Sequence, residues 1–212
     1  ISAPENCAWL LNIRGFDNPN SPIPNCRLLI NYENKIYLIS ELKNSKKFVE
    51  EKKITKQQII EPKNLKIFSN KFKGKKILID KKSCSIFYEK LFKKNNKIFN
   101  DEDPIYFLKS IKNQQEIENM IKSHISDGVA LTKFLYWIQK VNKNKITEFD
   151  AQNKLENFRK KNKDYLFPSF NTIAGTGSNG AIVHYRASKT KTKIINKKDI
   201  FLCDSGGQYR YG

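Results

Sequence analysis

The first stretch with a clear texture, CAWLLNIRGF, is an apolar run closing on glycine, and it predicts a strand ending in a turn. DNPNSPIPN follows, dense in proline and asparagine, and marks a loop or domain junction near residues 16–25. RLLINYENKIYLIS sets two β-rich runs either side of a short polar turn, the pattern of a hairpin. In the lysine-rich middle, residues 55–60 predict a short helix and KKILID a strand. Ser83 is placed to cap a helix whose apolar residues Cys84, Phe87, Tyr88, Leu91 and Phe92 fall at helical spacing. Strands alternating with helices predict an α/β unit of roughly 90 residues.

DPIYFLKSIKN is a second junction. Beyond it Asn113 and Glu116 form a capping box, and Ile117, Met120, Ile121, His124, Ile125, Gly128, Leu131, Leu135 and Ile138 mark one face of a long amphipathic helix. His124 on that face reads as a hydrogen-bonded helix histidine rather than a ligand. A further helix starts at Thr147, the N-cap, with Asp150 at its third position, and runs to the polar KKNKD. From Phe167 the texture turns to strands and glycine loops. FNTIA and AIVHY read as strands joined by GTGSNG, and alternation puts Ile182 and His184 on one face with Val183 on the other. Ile200 to Cys203 reads as a buried strand leading to Asp204.

Composition narrows the class. With 212 residues, 39% of them hydrophobic, the chain can bury a real core. No run of 18 apolar residues and no signal-peptide order at the N-terminus is present, so neither a membrane span nor secretion is expected. The sequence starts at Ile1 without Met, which leaves room for a lost upstream signal. Cys7, Cys26, Cys84 and Cys203 lie far apart with no C-x-x-C spacing, against a zinc ribbon or disulfide framework and for free thiols in a reducing cytoplasm. The net charge of +19 invites a nucleic-acid reading. However, the cations are almost all Lys, scattered through every segment, with arginine only at 14, 27, 159, 186 and 210. A dispersed, solvated surface is the expectation, and no nucleic-acid partner, because Arg is the residue that bidentate phosphate recognition favours.

Three features carry chemistry. GTGSNG, Gly175 to Gly180, satisfies G-x-G-x-x-G, but the β-branched, aromatic AIVHYR after it is not the helix that a dinucleotide fingerprint requires. His184 is either satisfied by a backbone carbonyl or a functional imidazole. Asp204 is either an ordinary turn initiator or a carboxylate held for a metal. An ionised carboxylate at the end of a buried strand is costly unless paired, and Ser205-Gly206-Gly207 leaves room for a close approach to the backbone.

NTIAGTGSNGAIVHYR followed by IFLCDSGGQYRYG resembles metallopeptidase family M24, the pita-bread enzymes, and within it the Xaa-Pro aminopeptidase (aminopeptidase P) branch. AWLLNIRG resembles the end of that branch's first domain, and PIYFLKSIKNQQEIENMIKSHISDGVALTKFLYWI the entry to its catalytic domain. The implied fold is α/β. Residues 1–17 would end a first creatinase-like domain, 18–107 form a creatinase/aminopeptidase P-like second domain, and 108–212 begin a truncated pita-bread catalytic domain. By the resemblance Asp204 matches the first carboxylate of a dinuclear site, usually manganese (Mn²⁺), and His184 the histidine that meets the scissile carbonyl or the tetrahedral intermediate. Hard oxygen donors with one imidazole suit such ions. The implied reaction releases the N-terminal residue from peptides with proline second, in the cytoplasm, by a homodimer. The segment that supplies the second carboxylate, and the later histidine and two glutamates, do not occur before Gly212. The expectation is therefore an internal piece of a longer enzyme, inactive alone. Rivals are a metal-free pita-bread binding module for histones or RNA, and another enzyme of the group such as a prolidase, creatinase or methionine aminopeptidase.

Overall fold

The computed structural model describes residues 1–141 and 145–212, which form two compact units, Ile1–Ile111 and Lys112–Gly212. In the first unit CAWLLNIRGF is not a strand. Pro4–Leu11 is helix α1, with Pro4 in its first turn, Glu5 beside it, and Asn12 left-handed (φ 49°) at its end. Proline and an acidic residue favour a helix start, and those cues stand upstream of the apolar run. The side of α1 bearing Cys7 and Ala8 packs with Ile13, Cys26, Leu28, Leu38 and Phe48.

The hairpin forms as expected: β1 (Arg27–Ile30) pairs antiparallel with β2 (Ile36–Ile39), Leu28 opposite Leu38. Asn31 makes the turn, its side-chain oxygen accepting from the amides of Glu33 and Lys35, while Asn34 takes φ 60°. Helix α2 (Leu42–Glu50) turns Phe48 into the core. The predicted helix at 55–60 shortens to a 3-10 turn, Lys56–Gln58, boxed by Thr55 and Gln58, and Ile59–Ile60 becomes β3, parallel to β2. Helix α3 (Leu65–Ser69) follows. KKILID supplies β4 (Lys76–Ile79), which runs parallel to β5 (Lys97–Asn100) across helix α4 (Ile86–Lys93). Its N-cap is Ser85 rather than Ser83, because the Ser83 hydroxyl bonds back to Asp80. The junction 103–113 is partly helical: α5 spans Ile105–Ser110, and buried Asp103 accepts from the Ile105 amide and the Asn6 side chain.

In the second unit α6 spans Gln114–Lys140 behind the expected box, with Glu116 N donating to Asn113 Oδ1 at 2.9 Å. Only its C-terminal half is buried, through Ala130, Phe134 and Ile138. Ile117, Met120, Ile121, Ile125 and Leu135 of the predicted stripe are exposed, as is His124. Helix α7 (Glu148–Arg159) begins at the Thr147–Asp150 box, and its Ala151 and Leu155 meet Phe134, Ile138 and Ile195 in a core. Two antiparallel strand pairs complete the unit: β6 (Tyr165–Pro168) with β9 (Gly207–Tyr209), and β7 (Ile173–Thr176) with β8 (Phe201–Asp204). β8 is a strand as expected but not a buried one. Phe201 and Cys203 pack inward, whereas Leu202 and Ile200 are exposed.

Candidate active site

β7 leads into the glycine segment, and AIVHY is not a strand. Gly177–Ala181 is a 3-10 turn, after which Tyr185 N bonds to Ile182 O and the chain turns again at Val183 and His184. The β-branched run joins neither strand of the two-stranded β7–β8 sheet and is taken up by turns. Consequently Ile182, Val183 and His184 are all exposed instead of alternating. Glycine is required at 175, where a Cβ would lie 2.9 Å from the Gly180 nitrogen and 3.0 Å from the Asn179 carbonyl, and at 177, where φ is 55°. These glycines let the chain fold back on itself. A Cβ at Gly180 would lie 3.5 Å from Leu202 Cβ, so the turn runs beside Leu202, on the face of β8 that alternation shares between Leu202 and Asp204.

His184 has φ 55°, a left-handed conformation that is uncommon outside glycine, although His, Asn and Asp adopt it more often than other residues. Its neighbour Tyr185 is bonded to Glu148, fully buried at the start of α7. The Glu148 carboxylate accepts from the Thr176 amide (2.7 Å), the Lys193 amide (2.9 Å), the Tyr185 hydroxyl (2.7 Å) and, on both oxygens, the Asn179 amide group (3.0 and 3.1 Å). Burial pushes the Glu148 pKa up, but these donors outweigh it and hold the carboxyl below the usual range. Burial and the Glu148 bond push the Tyr185 phenol up to about 12.

Asp204 ends β8 opposite Ile173, with its side chain exposed. Immediately after it the chain is tied down by Arg159, the last residue of α7 and 1% exposed. Arg159 grips Asp127 of α6 through Nε (2.7 Å) and Nη2 (3.1 Å), and Nη2 also donates to Ser205 Oγ at 3.1 Å. Tyr209 Oη donates to the same Asp127 oxygen as Nε, at 2.8 Å. Burial opposes charge on both partners. Their pairing outweighs it, holding the Asp127 carboxyl below its ordinary range and the Arg159 guanidinium above its own.

The β7–β8 pair thus carries both sequence-predicted residues, Asp204 on a strand and His184 on the turn beyond it; His124 lies elsewhere, on α6. Glu148, Arg159 and Asp127 escaped sequence reasoning, although an acidic first residue and a basic last residue on one helix were a visible signal. As a donor, Asp204 is of the type a hard divalent cation takes. Among the described residues no three His, Cys, Asp or Glu side chains come together as a ligand group. A cavity of about 1030 Å³ lies in the first unit between β1 and β4, lined by Leu29, Ile30 and Leu78 among others, and holds neither predicted residue.

Residues 1–116 match the creatinase/prolidase N-terminal domain and residues 118–212 metallopeptidase family M24. The chain belongs to the proteins with a creatinase/prolidase N-terminal domain, and its second unit matches the M24 metallopeptidases. Relatives that align along its whole length include Xaa-Pro aminopeptidases: ApepP of Drosophila melanogaster is 36% identical and Xaa-Pro aminopeptidase 1 of Dictyostelium discoideum 34%. The chain spans 35% and 34% of those two proteins. Among solved structures, the X-prolyl aminopeptidase of Caenorhabditis elegans, described as a cytosolic enzyme with a di-nuclear active site, matches 99% of the chain and 36% of its own length at TM-score 0.80 and 22% identity. The prolidase of Pyrococcus horikoshii OT3 matches 98% of the chain and 55% of its own at 0.70 and 21%. These likenesses establish the fold. No helix among the described residues is long and apolar enough to cross a membrane.

Proposed function

We propose that this chain contributes to a metal-dependent Xaa-Pro aminopeptidase that releases the N-terminal residue from peptides with proline second, Asp204 serving as a metal ligand and His184 as a substrate-contacting residue. The observation that carries the reading is that β8 presents an exposed carboxylate on the face beside which the turn leading to His184 runs. In a protein with these relatives, that is where a scissile peptide would lie. A pair of Mn²⁺ ions would supply an activated hydroxide and polarise the carbonyl. Asp204 would offer oxygen to such an ion, and His184, protruding from its turn, would donate a hydrogen bond to the oxygen that gains charge. A single candidate ligand cannot hold two cations, so these 212 residues by themselves are read as inactive. Residues 18–107 and 108–212 are assigned to the second creatinase-like domain and the start of the catalytic domain, with a homodimer in the cytoplasm as the working form.

The test is hydrolysis of Arg-Pro-Pro with added Mn²⁺, comparing the 212-residue chain with the protein as its gene encodes it. We expect activity in the gene-encoded form, at least 100-fold loss in Asp204→Ala and His184→Ala, and none in the 212 residues. An active gene-encoded form indifferent to both substitutions would refute the assigned roles. Comparing Arg-Pro with Arg-Pro-Pro separates a prolidase from an aminopeptidase.

A further inference from the structure

We propose that helix α7 is a positioning strut for the site, with Glu148 as the residue that fixes the His184 turn and Arg159 as its counterpart behind Asp204; this rests on the roles just assigned to His184 and Asp204. The connection from β7 to β8, residues 177–200, contains no helix or strand longer than the five-residue 3-10 turn. Segments of this kind are ordinarily mobile, because few backbone bonds tie them down. Here one carboxylate ties the connection at Asn179, Tyr185 and Lys193, and ties the end of β7 at Thr176. Asn179 and Tyr185 bracket His184, and Tyr185 is its immediate neighbour. The Asn179 side chain also donates to the Tyr185 hydroxyl at 2.9 Å, closing a ring of bonds around the base of the turn.

A carboxylate has about four acceptor positions, and five donor contacts already fill those of Glu148. It has no capacity left for a substrate or a metal, so its role is to position. The other end of α7 lies 11 residues on, about 16 Å away at the helical rise, and there Arg159 holds Ser205, the residue after Asp204. The ion pair with Asp127 fixes the guanidinium that does so. A helix does not stretch, so one rigid element sets the spacing between the anchors of the two site segments. The acidic end is the helix N-terminus and the basic end its C-terminus, the arrangement the helix dipole favours at both.

The experiment uses the two histidines of the chain. With ¹⁵N-histidine labelling, the 212-residue chain gives two backbone amide signals, and His124 on α6 is the internal control. Tyr185→Phe removes one bond to Glu148 and keeps the ring; Glu148→Gln removes the charge. We expect the His184 amide to shift and its heteronuclear NOE to fall in both variants, the larger change in Glu148→Gln, with His124 unmoved. In the gene-encoded protein, kcat should fall at least 10-fold with KM within twofold, since the substrate still binds but meets a displaced donor. An unchanged His184 signal in Tyr185→Phe would overturn the proposal even if Glu148→Gln fails to fold. Equal changes at His124 and His184 would also overturn it, marking Glu148 as general scaffolding. A wild-type protein inactive on Arg-Pro-Pro but with the expected His184 response would sink the assigned activity and leave the strut standing.

Discussion

Both units bury carboxylates, and they use them differently. In the first unit Asp80 and Asp103 act close to home: Asp80 accepts from the Lys82 amide and the Ser83 hydroxyl, and Asp103 from the Ile105 amide, with Asn6 as its one distant partner. They shape turns and helix starts beside regular elements that apolar packing already holds. In the second unit Glu148 reaches residues 28 to 45 positions away, and Arg159 reaches Asp127 and Ser205 at 32 and 46. These buried charges of the second unit reach the segments that carry His184 and Asp204, the first of which has no sheet or long helix to hold it. The price of burying ions is met in full at Glu148, whose oxygens are saturated with donors, and in part at Arg159, whose Nε and Nη2 are bonded while Nη1 finds no hydrogen-bond partner.

The comparison can be tested because each unit holds one of the two tryptophans, Trp9 and Trp137. Trp137→Phe leaves a reporter for the first unit and Trp9→Phe one for the second. The largest expected effect is Arg159→Met in the Trp9→Phe background. Removing one partner of a buried pair strands the other, and a loss of about 3–5 kcal/mol is expected in urea unfolding followed by Trp137. A loss below about 1 kcal/mol would mean that Asp127 is readily rehydrated and that the pair does not hold the unit.

Glu148→Gln comes next. Its amide would turn a donor toward a ring of donors, and we expect a loss of about 2–3 kcal/mol at pH 7 by the same measurement. The pH dependence has a definite sign. The folded carboxyl titrates below its unfolded value, so the unfolded chain binds the proton first as pH falls. The stability Glu148 adds is fully present above the usual carboxylate range and is lost as pH drops through its depressed folded value. Urea midpoints from pH 7 to pH 3 should therefore converge between wild type and Glu148→Gln. Parallel curves would assign the acid sensitivity to Asp127 and Asp150, the other lowered carboxyls of this unit.

The same contrast explains what the sequence disclosed. The hairpin at Asn31 and the boxes at Asn113 and Thr147 are bonds between residues two to four apart, so the spacing of residue types reveals them. α1 was obscured because Trp9, Leu10 and Leu11 suit strand or helix equally, and the deciding Pro4 and Glu5 lie before them. AIVHY has strand composition and is turned by a carboxylate 37 positions earlier, information no local pattern holds. The exposed first half of α6 was likewise illegible, since periodicity shows which face is apolar and not whether anything covers it. His184 and Asp204 stood out through the family resemblance; the residues that hold their segments did not.

The smallest expected effect is in the first unit, and it bears on the comparison most directly. Asp103→Asn keeps an acceptor for the Ile105 amide, but its new NH₂ group meets the NH₂ of Asn6, whose oxygen is held by the Lys109 ammonium. One bond is then kept without charge and one is lost, so the loss should be about 1 kcal/mol, the net worth of a single hydrogen bond. It should be read by Trp9 in the Trp137→Phe background. A loss as large as that of Glu148→Gln would show that Asp103 also organises its unit at long range through Asn6, and the distinction between local and long-range buried carboxylates would collapse. A loss near 1 kcal/mol confines long-range charge to the unit that bears the candidate site, where the chain's geometry and not its stability is what the buried ions secure.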